Sequence, residues 1–425
     1  MVSKQDTSTM QQRWSLQANP LRTDIRWLFQ SALIVFIVTV GIGILNGQHI
    51  TTLSQDVLLT HVHAGTLGWI TLSVFAMGFW LFGVGEGNEP TEKNLYVRTL
   101  SILSAISIPV YVLAFLSGNL IARAVFSFPV LLAIIGFLGW IIARIGKIRL
   151  GVAHLAVLGS IITLIVGSVI GVLLQIEFAT NTTFLPAGAF AAHPATQVVG
   201  YLILIGMALS EWRLMPDTGR LPRAGVVQIT LPFIAGFILT IGLLLNIMPL
   251  LGLNAVLEVI AVIIYIVRFA PRFAQINWLG RNSDRFFAVS GLFLVVNVVL
   301  LTYLIVTLIT GFYKAFPPDL LIALDHTMFV GVMTNALFGL IQDASYERRS
   351  FWPWADDILF WGMNIGVTGF IATLIITGLG TDVRVLEKVF TPIMGISILL
   401  AILTYFIRLS RPPAPEMVEV KASAS

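Results

Sequence analysis

The feature that most constrains this chain is a series of twelve apolar runs, each long enough to cross a bilayer. A membrane-spanning helix needs about 20 consecutive, mainly apolar residues. Such runs lie at 27–46, 56–83, 98–121, 124–146, 151–176, 189–211, 226–249, 252–271, 286–311, 319–342, 358–379 and 388–408. In lipid a segment must satisfy its own backbone N–H and C=O groups, so each run is read as an α-helix. The short gaps near 122 and 250 leave room for a re-entrant segment. No long polar linker divides the series. The sequence predicts an all-α, polytopic bundle over 27–408, a cytoplasmic tail over 1–26 and a disordered tail over 409–425.

Composition excludes the alternatives. Of the residues, 57% are hydrophobic and 11% charged, against roughly a quarter charged in soluble domains. The net charge of +4 is carried by cations in the gaps between runs, where membrane topology puts them. The partner implied is the lipid bilayer, not nucleic acid. There is no cysteine, which removes disulfides, thiolate zinc, iron–sulfur clusters and covalent c-type haem. Any metal or cofactor must be held by histidine, methionine, carboxylate or backbone. No phosphate-binding Gly-x-x-x-x-Gly-Lys-Ser/Thr loop is present. Met1 to Arg26 has no apolar core followed by a cleavage site, so it reads as a tail and not a signal peptide.

Cations orient the bundle. With the N-terminus inside, the inner segments hold 21 Lys and Arg residues. The outer segments hold 4, namely Arg123, Lys314, Arg384 and Lys388. The bias predicts a multi-pass protein of the inner (plasma) membrane with both termini cytoplasmic.

Six histidines stand out because intramembrane ionisable groups are costly and usually face a bundle interior or cavity. His49 falls in the first outer loop, where solvation is expected, and His154 near the inner end of the fifth run. His61, His63, His193 and His326 begin the second, sixth and tenth runs, all descending from the outer face. The three segments echo one another: His61-Val-His63-Ala-Gly-Thr-Leu-Gly68, His193-Pro-Ala-Thr-Gln-Val-Val-Gly200 and His326-Thr-Met-Phe-Val-Gly331. Aligned on the glycine, His61 matches His193 and His63 matches His326. The spacing suggests three repeats of four spans. His61 and His63 are two residues apart, so they point about 200° apart on a helix and cannot share one partner. A lone membrane histidine is more often a hydrogen-bonding group than a ligand. That reading is preferred for His154 and stands level with ligation for His193. For His63 with His326, the shared motif and depth favour ligation.

Twelve spans with histidines at the outer ends of the second, sixth and tenth resemble subunit I of the haem–copper oxidases. The resemblance implies a pseudo-threefold arrangement of four-helix arcs and a low-spin haem b between His63 (or His61) and His326. A second haem or a copper stays open, with His193 as a further metal candidate. The oxidases place a high-spin haem ligand where this chain has Leu324, and their copper-binding histidine pair has no counterpart in 226–251. Where the oxidases have a tyrosine four residues after the sixth-helix histidine, this chain has Gln197. The chain therefore looks like a divergent relative, similar to NnrS-type haem proteins associated with nitric oxide tolerance. The resemblance implies electron transfer or a response to nitric oxide or oxygen, with a quinol or redox protein as partner. Arg384 and Lys388 would then meet the haem propionates, or else pair with Asp382 and Glu387.

Two other readings compete. One is a secondary transporter, against which the echo is threefold and the loop carrying Gly83, Glu86, Glu89 and Lys93 lacks the major-facilitator pattern. The other is a non-catalytic subunit of a homo-oligomer or larger respiratory complex. Glu258, the one carboxylate placed deep in a span, is expected to be hydrogen-bonded. Asp325 would orient His326 only if the chain bends there.

Overall fold

The computed structural model describes residues 16, 19–83, 94–215, 221–345 and 351–411. Most of both predicted tails, together with Glu86, Glu89, Lys93 and several of the inner cations, lies outside them. Among the described residues the fold is all-helical, with twelve helices long and apolar enough to span a membrane. In chain order these are α1 (Arg22–Gly47), α2 (Gln55–Gly83), α3 (Leu95–Leu116), α4 (Leu120–Ile145), α5 (Val152–Thr180) and α6 (Ala189–Leu214). The second half comprises α7 (Arg223–Leu244), α8 (Met248–Phe273), α9 (Asp284–Ile309), α10 (Pro318–Ala344), α11 (Ala355–Gly378) and α12 (Arg384–Ser410).

The helix ends lie up to several residues from the ranges read in the sequence. The gaps near 122 and 250 hold tight turns, not re-entrant segments. Gly118 (φ 69°) and Asn246 (φ 54°) take left-handed conformations that reverse the chain within a few residues. Residues 22–26, assigned to the tail, already form the first turn of α1, and α12 runs to Ser410.

Helices α2, α6 and α10 form the centre. Their apolar windows are 83%, 78% and 67% buried, whereas those of the other nine range from 39% to 50%. The outer helices keep large apolar residues on the surface, such as Ile34, Leu132, Val267, Val299 and Ile396. A soluble protein would not leave such stripes uncovered, and lipid is their natural solvent. Helix α12 packs on α1, closing the ring.

Each central helix breaks its α-helical ladder just below its histidine. The segments Ala64–Thr71, Thr196–Leu202 and Thr327–Thr334 are π-helical. Such wide turns are rare and concentrate at functional sites. Thr71 and Thr334, each three residues after the echoed glycine, donate to the carbonyls of Thr66 and Phe329, five residues back. The π segment of α10 packs on those of α2 and α6. Trp69 Nε1 donates to Thr334 Oγ1 at 3.0 Å, and the Thr71 and Tyr201 hydroxyls lie 3.3 Å apart.

The threefold register extends to the preceding helices. A Cβ on Gly68, Gly200 or Gly331 would run into Val35, Thr163 or Phe293 on α1, α5 and α9. One turn further on, α1 offers Thr39, α5 Gly167 and α9 Asn297. These meet His61, His193 and Leu324 respectively.

Several buried ion pairs stand at the end of the bundle opposite His61, His193 and His326. Arg408 and Asp356, both essentially inaccessible, are 2.7 Å apart, and Tyr405 donates to the same carboxylate. Arg268 meets Glu211 at 2.7 Å, and Arg213 pairs with Asp343. A buried charge is tolerated only when paired and hydrogen-bonded.

Candidate cofactor site

The site begins with two imidazoles brought together from α2 and α10. His61 and His326 have ring centres 6.4 Å apart and planes inclined by 25°. His61 Nδ1 lies 2.9 Å from the Thr39 carbonyl of α1. His326 Nδ1 lies 2.9 Å from its own Ile322 carbonyl, one turn back. A carbonyl only accepts, so each Nδ1 carries the proton and each Nε2 is left with its lone pair. Metal-ligating histidines are characteristically held by such a bond from the second ring nitrogen. Two imidazoles on one metal, each bonded at about 2.0–2.1 Å, put their ring centres roughly 6–6.5 Å apart.

The pair opens into a cavity of about 420 Å³ between α1, α2, α10, α11 and α12, within the usual range of about 300–1,000 Å³ for small-molecule sites. Trp69 lies flat on Phe36 at 4.4 Å and 6° and lines the cavity. Gly43, Gly65 and Gly395 also line it. A Cβ on Gly43 would meet His61 Cε1 at 3.1 Å, so the backbone leaves room that a side chain would fill. Phe370 of α11 packs edge-on to His326 at 4.9 Å.

The mouth is charged. Arg384 bonds Asp319 at 3.0 Å and reaches Asp382 at 3.7 Å. His49 Nε2 lies 3.4 Å from Glu387. Arg384, Asp319, His49 and Glu387 all line the cavity.

The structure sorts the sequence candidates. His61, not His63, is the ring that faces His326. Two residues on, His63 points away, stacked on Phe115 at 3.8 Å and edge-on to Tyr111. His193 stands over α5, its Nδ1 2.8 Å from the Gly167 carbonyl. Arg384 is at the cavity, but its nearest partner is Asp319 of α10, which the sequence reading did not consider. Lys388 is exposed and outside the lining residues, and its carbonyl accepts from Gln48. His49 is paired with Glu387 instead of purely solvated. Asp325 lines the cavity, yet it is the Ile322 carbonyl that holds His326.

His154 accepts from Gly151 N–H at 3.0 Å and lies 3.3 Å from the Leu81 carbonyl, so it caps α5 and ties it to α2. Glu258 departs from expectation. It is fully buried, and neither carboxyl oxygen has a hydrogen-bond partner among the described residues.

Thr39, Gly43 and Asp319 were missed. A trace of Asp319 is visible in sequence, since Asp56 and Asp319 each stand seven residues before a histidine. Thr39 and Gly43 become recognisable only once α1 is packed on α2.

Among the described residues no group of three or more His, Asp or Glu side chains converges as a metal cage. The two facing imidazoles of His61 and His326, each held through Nδ1, could together bind one metal through Nε2. The chain matches no protein-family model and no curated protein.

Proposed function

We propose that this chain is a haem-binding membrane protein, a divergent NnrS-like relative of haem–copper oxidase subunit I. In this reading His61 and His326 would hold a low-spin haem b between them. The observation that carries it is the His61–His326 pair itself: facing rings, anchored Nδ1 atoms and a spacing that admits one metal between them.

A bis-imidazole haem is coordinatively saturated and supplies one-electron transfer. The protein's part is to hold the two rings, exclude water and compensate charge. Thr39 and Ile322 fix the rings through their carbonyls. Phe36 and Trp69 make an apolar floor. Arg384, at the cavity mouth and paired with Asp319, would donate charge-assisted hydrogen bonds to propionates. With the histidine ends facing outward, as the cation bias implies, the partner is a quinol or a redox protein at that face. Leu324 at the oxidases' high-spin ligand position argues for electron transfer, or a response to nitric oxide or oxygen, over oxygen reduction.

The test is a reduced-minus-oxidised spectrum of purified protein made with ample haem. A low-spin b-type spectrum is expected, with the component of this haem lost in His61→Ala and in His326→Ala. Protein without a Soret band, or a spectrum untouched by both substitutions, refutes the reading.

A further inference from the structure

The threefold register makes a prediction about His63 and His193, the two remaining histidines of the central helices. At the first interface, α2 supplies the residue seven before its glycine, His61, and α10 the residue five before, His326. Turning one step around the ring, α6 supplies His193, seven before Gly200, and α2 supplies His63, five before Gly68.

The local bonds repeat as well. His61 Nδ1 meets the carbonyl of Thr39 on the preceding helix, with Gly43 four residues on beside the ring. His193 Nδ1 meets the carbonyl of Gly167 on the preceding helix at 2.8 Å. Gly171, four residues on, is so close that its Cβ would come within 2.6 Å of the ring. His326 Nδ1 meets the carbonyl four residues back in its own helix, and so does His63, at 2.8 Å from Leu59. In each case Nε2 is the nitrogen left free.

The ion pair at the mouth also repeats. Arg384, the first residue of α12, pairs with Asp319, seven residues before His326. Arg123, just after the turn between α3 and α4, pairs with Asp56, seven residues before His63. Arg123 is buried and also donates to the Phe115 carbonyl at 3.0 Å, and Phe115 is the ring stacked on His63. At the third interface the equivalents are Leu324 and Ala195, neither of which can bind a metal. Asn297 there donates to the Leu324 carbonyl.

We propose that His63 and His193 ligate a second haem of the same bis-imidazole kind, held between α2 and α6 with Arg123 toward its propionates. The inference rests on the reading of His61 and His326 as haem ligands, since it transfers that site by one step of the pseudo-threefold. Both irons then stand at the same level of the bundle, because both pairs keep the same register above their glycines. Electrons would pass between neighbours along one face of the membrane and not across it.

The experiment is haem quantitation per chain on purified full-length protein, by pyridine haemochrome and with copper measured in parallel. Two haems b per chain are expected in the native protein. One is expected in His63→Ala, His193→Ala, His61→Ala and His326→Ala, and none in His61→Ala/His193→Ala. Electron paramagnetic resonance of the oxidised native protein should give two low-spin components, of which His193→Ala removes one and His61→Ala the other. The native stoichiometry requires no variant to fold. One haem per native chain, lost in His61→Ala and kept in His193→Ala, overturns this proposal and leaves the first reading standing. Copper bound without a second haem overturns it too. No haem at all overturns both.

Discussion

His61 faces His326 across the junction of α2 and α10, while His63, two residues further along the same helix, stacks on Phe115 of α3. The first relation depends on α1, which gives His61 a carbonyl at Thr39 and a gap at Gly43. Gly43→Val should therefore push His61 off the Thr39 carbonyl. Cofactor retention is expected to fall about 10- to 100-fold, as for loss of an orienting partner, with an overpacking cost of about 1–3 kcal/mol. A Cβ added at Gly41 would meet nothing within 4 Å, so Gly41→Val should leave both unchanged. Equal behaviour of the two variants in haem content and thermal stability would sink the idea.

The ion pair at the cavity mouth predicts opposite electrochemical shifts. Arg384 bonds Asp319 at 3.0 Å. Removing the cation in Arg384→Ala should lower the reduction potential of the haem proposed at this site, because the cation favours the extra electron. Removing the anion in Asp319→Asn should raise it. Spectroelectrochemical titration at low salt reads both, and shifts of the same sign would show that the pair acts only structurally.

At the other end of the bundle, Arg408 shares the Asp356 carboxylate with Tyr405. Arg408→Met leaves that carboxylate buried without its cation and should cost about 3–5 kcal/mol, seen as a lower melting temperature in detergent. Asp356→Asn on the same background should recover part of the loss. A double variant no more stable than the single one would contradict this account.

Glu258 presents the reverse case, a buried carboxyl with no hydrogen-bond partner among the described residues. Replacing an unpartnered polar group by an apolar one of similar shape is neutral or stabilising. Glu258→Leu should melt at the native temperature or above it, and a drop of several degrees would reveal a partner that the carboxyl needs.

Orientation can be read directly, because the chain has no cysteine to interfere. A thiol at Lys147→Cys should react with a membrane-impermeant maleimide only from the cytoplasmic side, and one at Thr381→Cys only from the outside. Labelling of both from one side would overturn the cation-based topology.

Much of this molecule was legible one residue at a time. The twelve spans follow from apolar length alone, because lipid leaves a backbone no alternative to the helix. The tight turns at Gly118 and Asn246 were less legible, since a gap of a few residues looks the same whether the chain reverses or re-enters. The glycine-anchored echo was visible in the string, and so was the divergence of His61 and His63, which is a property of helix periodicity.

What only tertiary structure decided is which of those two rings meets His326. Periodicity says that they point apart but not which neighbour lies on either side, and that depends on how α1, α3 and α10 pack around α2. The same packing decided that Asp319, and not Asp382 or Glu387, is the nearest partner of Arg384, because the two come together only when α10 and α12 stand side by side. Span number and histidine register are local properties of a chain in lipid. The partner of each histidine is a property of the closed ring of helices, and no single segment contains it.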